Sequence, residues 1–133
     1  MARFSGKVIA VTGGGSGLGE AIVKRLASEG AQVAVLDIDW AAAQRVAAEA
    51  GSASAYQADV TDAAAMVAVI GQIVTDHGQL DAAVNNAGIG GPFIPTADYP
   101  LEWWDRTLAI NLTGVFHSLR AEIPHMTAKG GGA

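Results

Sequence analysis

Dense apolar runs and helically spaced apolar stripes alternate along this chain. The runs at 8–11, 32–36 and 80–84 read as buried strands, and a weaker run at 53–58 is placed mainly by its position. Leu18, Ile22 and Leu26 share a face over 17–29, which Gly30 closes; an alanine-rich helix centred on Val46 runs from a cap at Asp39 to Gly51. Met66, Val69, Ile70, Ile73 and Val74 form a stripe that starts from a cap at Thr61 and stops at Gly78. The longest helical stretch opens at Pro100, with a break expected near Trp103 and a kink at Pro124, and runs to about Ala128. Its Trp104, Leu108, Leu112, Val115, Phe116, Leu119 and Ile123 are predicted to face the core.

Strands that alternate with helices make a parallel sheet, and parallel crossovers are almost always right-handed. The first two helices then cover one face while the chain steps outward from strand one to strand three. The chain must return past strand one to lay down strand four, so the later helices cover the other face. The predicted order is 3-2-1-4, with a crevice where strands one and four diverge. No internal repeat and no dividing linker interrupts this order, so residues 1–133 read as one α/β unit.

The first crossover carries the chemistry. Thr12-Gly13-Gly14-Gly15-Ser16-Gly17-Leu18-Gly19 joins the first strand to the first helix. Gly13, Gly17 and Gly19 allow the backbone to turn sharply and approach a ligand that side chains would block. The N–H groups around Ser16, Gly17 and Leu18, backed by the positive helix end, then face an anion such as a pyrophosphate. The dipole alone supplies only about 0.3–1 kcal/mol, so several hydrogen bonds must carry the binding.

Asp37 ends the second strand, where a carboxylate can accept both hydroxyls of an unphosphorylated adenosine ribose. A 2′-phosphate would meet it as a like charge, costing roughly 4 kcal/mol at ~4 Å and an effective dielectric near 20. With no Arg or Lys expected near Asp37 or in the turn, NAD(H) is favoured over NADP(H). Asp39 is the better helix cap of the two acids.

Composition narrows the partners. Eight basic and thirteen acidic residues give a net charge of −5 without a basic run, which disfavours nucleic acid and anionic membranes. There is no cysteine for a disulfide or thiolate metal site, and no metal site is expected. The few apolar residues after Lys7 are too short for a signal-peptide core or a membrane span, and a cytoplasmic location is expected.

Together, Thr12–Gly19, Asp37, Asp59-Val60, Asn85-Asn86-Ala87-Gly88 and Asn111 make the chain similar to the amino-terminal, cofactor-binding half of the short-chain dehydrogenase/reductases, over essentially its whole length. The resemblance implies a Rossmann-type doubly wound sheet and an NAD(H)-dependent oxidoreductase that interconverts a secondary alcohol and a ketone. It implies that Gly13, Gly15, Ser16, Gly17, Leu18 and Gly19 hold the diphosphate. It further implies that Asp59 bonds the adenine amino group, that the Val60 backbone contacts the ring, and that Asn86, Ala87 and Gly88 line the nicotinamide ribose. Asn111 would be the catalytic-tetrad asparagine, and the protein a homodimer or homotetramer using the long helix.

Read without the family, Asp59 is an acid at a helix start, Asn85 and Asn86 are turn formers, and Asn111 is a satisfied structural amide. His117 and His125 read as surface or partly packed, Trp103 and Trp104 as core or interface anchors.

The family's serine and Tyr-x-x-x-Lys pair have no counterpart here: Val60 follows Tyr56 by four places, and Trp103 follows Tyr99. A positioned proton donor is worth roughly 10²- to 10⁴-fold in rate, so these 133 residues alone are expected to be inactive. Strand four is expected to be an unpaired edge, as in an incomplete sheet. The alternative from another class is a non-catalytic nucleotide-binding or assembly module.

Overall fold

A computed structural model describes residues 2–133; Met1, at the start of the expected 1–133 unit, lies outside them. Four parallel strands, β1 (Val8–Thr12), β2 (Gln32–Asp37), β3 (Ala53–Gln57) and β4 (Ala82–Asn85), form one sheet in the order β3-β2-β1-β4. Every strand lies where right-handed crossovers put it. Alternation along the strands divides the core in two. Ile9, Val11, Val33 and Val35 pack on α1 (Gly17–Ser28) and α2 (Trp40–Ala50), through Val23, Ala43 and Val46. Val8, Ala10, Ala34 and Leu36 face α3 (Ala63–His77), through Met66, Ile70 and Ile73, and α5 (Gly114–Ala128), through Ala121.

The helix starts show which short polar side chain wins. Asp39 caps α2 by accepting from the Ala42 N–H at 3.0 Å. The cap of α3 is Asp62, which accepts from Ala65 at 3.0 Å, and not Thr61, whose hydroxyl donates to Asp59 at 2.7 Å. The carboxylate is the stronger acceptor, and it sits one residue closer to the first turn. On α1 the buried positions are Gly19 and Val23; Ile22 and Leu26 are half-buried, and Leu18 is exposed at the crevice.

The last helical stretch differs most from expectation. It does not break at Trp103: α4 (Leu101–Leu108) runs into a π-helical turn (Ala109–Thr113) and on into α5, with Pro124 inside. Its large apolar stripe is not core. Trp104 is 59% exposed, Leu112 64% and Phe116 61%, while the small or polar residues Gly114, Ser118, Ala121 and Glu122 are buried. Close approach to the rest of the fold selects that side, because a Cβ on Gly114 would stand 2.6 Å from Val60 Cγ2. The outer edge of β4 is partly occupied: the Ala83 N–H donates to the Ala133 carbonyl at 2.9 Å, and the Ala133 N–H donates to that of Asp81 at 3.2 Å.

Candidate functional site

The carboxyl ends of the strands open onto a crevice of about 520 Å³, a ligand-sized space. Of the residues singled out from the sequence, Gly13, Ser16, Gly17, Leu18, Asp37, Asp59, Val60, Asn86, Ala87, Gly88 and Asn111 line it. Gly15 and Gly19 stand behind the wall and shape it.

Gly13 has φ +63°, and a Cβ there would lie 2.9 Å from Ala87 Cα. A Cβ on Gly19 would come within 2.0 Å of the Gly13 carbonyl oxygen and 2.6 Å of Asn86 Nδ2. No side chain fits there, so the start of α1 folds directly onto the turn. Asn86 tightens the same contact by donating from Nδ2 to the carbonyls of Thr12 and Gly13, each at 3.2 Å. Thr12 Oγ1 accepts from the Ala87 N–H at 3.1 Å, so β1 and β4 are stitched together at the crevice floor. Among the described residues nothing accepts from the N–H groups of Ser16, Gly17 and Leu18. They are free donors at a helix start, the arrangement that binds an anion.

Asp37 faces this turn. One carboxylate oxygen accepts from the Gly15 N–H at 2.9 Å and the other from the Asp39 N–H at 2.9 Å. Each oxygen keeps acceptor capacity for a further donor. Behind Gly15 the surroundings differ from expectation. Arg45 of α2 donates to the Gly15 carbonyl at 3.1 Å, so a guanidinium does lie close to the Asp37–Gly15 contact although it is remote in sequence. Its charge is already matched by Glu20, at 2.8 Å, and Glu49, at 3.2 Å. Hydrogen bonds from Arg45 first, and from Lys24 next, hold the Glu20 carboxyl at about 2.

On the far rim, Asp59 Oδ1 accepts from the Thr61 N–H at 2.9 Å. The acid therefore closes a local turn and still lines the crevice. The Val60 carbonyl accepts from His117 Nδ1 at 2.9 Å, which places the ring proton on that nitrogen. Asn111 lies in the π-helical turn, a distortion frequent at functional sites. Its side-chain oxygen accepts from the Ile89 N–H at 2.8 Å and its Nδ2 donates to the Ile89 carbonyl at 2.8 Å. The asparagine thus clamps the loop that leaves Gly88, and this use of the amide is structural. Tyr56 lies elsewhere: its hydroxyl donates to Asp76 at 2.7 Å, and burial with that carboxylate pushes its pKa up.

Sequence reasoning missed the wall residues Ile38, Ala58 and Ile110, the Gly15 contact of Arg45, and Thr12 as a stitch. Thr12 alone left a signal, as the hydroxyl ending an apolar run. Among the described residues no helix is long and apolar enough to cross a membrane, and no group of three His, Cys, Asp or Glu side chains is placed to hold a metal.

A family model described as short chain dehydrogenase matches residues 7–133. The chain is 39% identical over 135 aligned residues to cyclohexanol dehydrogenase of Acinetobacter sp. (strain SE19), covering 98% of this chain and 54% of that protein. It is 38% identical to D-threitol dehydrogenase of Mycolicibacterium smegmatis (strain ATCC 700084 / mc(2)155), again over 98% of this chain and 52% of the relative. Among solved structures, NAD⁺-bound xylitol dehydrogenase superposes with a TM-score of 0.94 at 40% identity, covering 98% of this chain and 52% of that one. 3-Ketoacyl-(acyl-carrier-protein) reductase from Brucella melitensis complexed with NADH superposes with a TM-score of 0.93 at 39% identity, covering 96% and 53%. The chain spans about half the length of the curated relatives it matches. The glycine turn, the 3-2-1-4 sheet and the match along nearly its whole length establish that the chain belongs to the short-chain dehydrogenase family.

Proposed function

We propose that these residues form the cofactor-binding half of an NAD(H)-dependent oxidoreductase that interconverts a secondary alcohol and a ketone. One observation carries this reading: the free N–H groups of Ser16, Gly17 and Leu18 stand above the Gly13–Gly19 contact, beside a carboxylate locked toward the same turn. The first group suits a diphosphate and the second a ribose diol. When bound, the nicotinamide supplies the hydride donor or acceptor. The N–H groups and Gly13, Gly15 and Gly19 shape the diphosphate cradle; Asp37 selects the unphosphorylated ribose; Asp59 and the Val60 backbone line the adenine end; Asn86, Ala87 and Gly88 line the other ribose. Asn111 holds the Ile89 backbone at the reacting end.

These 133 residues hold no Tyr-x-x-x-Lys pair to carry the proton of the alcohol or ketone. The xylitol dehydrogenase and ketoacyl reductase structures hold NAD⁺ and NADH, and cyclohexanol dehydrogenase and D-threitol dehydrogenase are named for alcohols, which supports the reading. The exposed stripe of α4 and α5 supports a homodimer or homotetramer, and the substrate is a small alcohol or carbonyl compound. Titration calorimetry tests the reading. Heat of binding with NAD(H), at least tenfold tighter than with NADP(H) given the like-charge penalty at Asp37, is expected. No heat with either dinucleotide would overturn it. The 133 residues alone are expected to bind without turning over ketones.

A further inference from the structure

Glu122 is 1% exposed on α5, away from the crevice-lining residues. One of its oxygens accepts from Asn85 Nδ2 at 3.0 Å. Its other oxygen, Oε1, and the Asn85 side-chain oxygen are both buried without a hydrogen-bond partner among the described residues. Two acceptors are thus left over from one acid–amide pair, and an ionised carboxylate has no donor to satisfy either. A proton on Oε1 turns that atom from acceptor into donor, and a planar acid and a planar amide joined by one N–H···O bond can close their second edge with an O–H···O bond.

We propose that Glu122 is a positioning residue held as a neutral carboxylic acid, whose two-way hydrogen-bond pair with the Asn85 carboxamide fixes the end of β4 beneath the crevice. The surroundings agree. Burial dominates the influences on this carboxyl and pushes its pKa up, with the Asn85 bond opposing it. Of the elements packed on α5, α3 presents Met66, Ile70 and Ile73 to the shared core, and β4 contributes Ala83 beside Asn85. The titratable groups on those elements are engaged elsewhere. Asp76 and His77 of α3 meet Tyr56, and Asp81 at the foot of β4 meets Lys7 and Lys129. On α5 itself His117 bonds Val60, Arg120 is exposed and His125 is half-buried. Among the described residues no cation neutralises Glu122, so a proton must.

The consequence reaches the crevice because Asn85 is followed directly by the residues that build its floor. Asn86 clasps the Thr12 and Gly13 carbonyls, and the Ala87 N–H bonds Thr12. A proton lost from Glu122 places a charge against an amide that can offer only Nδ2, and β4 must shift or admit water.

Carbon-13 NMR with carboxyl-labelled glutamate tests the proton directly, the Glu122 signal being the one lost in Glu122→Gln. Its carboxyl is expected to stay protonated well above about pH 4.3, where exposed glutamates ionise. Ionisation together with them, or below them, would overturn the proposal. Stability supplies a second readout that survives if one variant misfolds. A folded-state pKa above the unfolded value means that the stability Glu122 contributes is present at low pH and lost as pH rises through the folded value. Glu122→Gln keeps both hydrogen bonds without titrating, so its melting temperature is expected to gain on the wild type as pH rises, while Glu122→Ala melts lower than Glu122→Gln throughout. A Glu122→Gln that tracks Glu122→Ala at pH 8 would refute the pair.

The positioning role is read from dinucleotide affinity, which rests on the proposed function. Over the pH range where the Glu122 carbon reports proton loss, NAD(H) affinity should fall roughly fivefold, an ordinary coupling; affinity indifferent to that loss would reduce Glu122 to packing. A protein that binds no dinucleotide at any pH would instead sink the functional reading and leave the carbon titration standing.

Discussion

The glycine turn and the α4–α5 helix are both places where this chain leaves something unfinished, and they do so in opposite ways. At the turn the unfinished groups are polar: backbone N–H groups of Ser16–Leu18 without acceptors, on a backbone so tightly packed that Gly19 has no room for a methyl group. Along α4 and α5 they are apolar: Trp104, Leu112, Phe116 and Ile123 stand more than half exposed. Tight packing around open donors fixes a geometry for a small charged ligand. A loose apolar stripe fixes only that some surface must cover it, and which surface is not written in the stripe.

The sharpest way to break this contrast is Gly19→Val. The added atoms meet the Gly13 carbonyl and Asn86, neither of which can yield without opening the turn. A destabilisation of about 3 kcal/mol is expected, with loss of dinucleotide binding, measured by denaturant titration and calorimetry. A variant that folds and binds like the wild type would show that the turn is not the rigid element it is taken to be.

Paired substitutions on the two sides of the later helices come next. Ile70→Ala, fully buried on α3, should cost about 2–5 kcal/mol, whereas Leu112→Gln on the exposed stripe should stay within about 0.5 kcal/mol for the isolated subunit. Leu112→Gln should instead weaken self-association, read by sedimentation. Equal costs at the two sites would mean that the stripe is covered as firmly as the core.

These regions also show what sequence pattern can carry. The sheet order was legible because handedness leaves little choice once runs and stripes alternate, and the turn was legible because several glycines, a following helix and Asp37 all agree. The buried side of α5 was not. Period 3.6 marks Leu112, Phe116 and Ile123 as one face and the small residues Gly114, Ser118 and Ala121 as another, and large apolar side chains suggest burial. Here close approach to the Val60 turn ahead of α3 decided, and it favoured the small residues. Glu122 travelled with them into the interior, where one acid among apolar neighbours gives no pattern to read. Likewise Asp62 outcompeted Thr61 as a cap, a choice between adjacent residues that spacing cannot make. Of the crevice, residues carried by local motifs were found; Arg45, brought to Gly15 from the next helix, could not be.

Asp37→Ala bears on the polar side of the contrast alone. The carboxylate organises the Gly15 and Asp39 N–H groups and is the proposed ribose acceptor. Its removal should weaken NAD(H) by about 10- to 100-fold, the worth of charge-assisted hydrogen bonds, and narrow the preference over NADP(H). Unchanged selectivity would place discrimination elsewhere.

The smallest effect concerns the ion-pair network behind the turn. Arg45 joins the Gly15 carbonyl to Glu20 and Glu49, and Lys24 bridges the same two acids at 2.6 and 2.7 Å. These side chains lie near the surface, where ion pairs contribute little and salt screens them. Arg45→Met should therefore lower dinucleotide affinity only about twofold, and less at high salt. Its pH dependence has a definite sign. The Glu20 carboxyl is held at about 2 in the folded protein, below its unfolded value, so the network's contribution is complete above the unfolded value and fades as pH falls toward the folded one. The stability difference between wild type and Arg45→Met should accordingly be constant near neutrality and shrink through acid titration. A difference that stays constant through acidification would mean that Arg45 acts through the Gly15 carbonyl, which does not titrate, and not through Glu20.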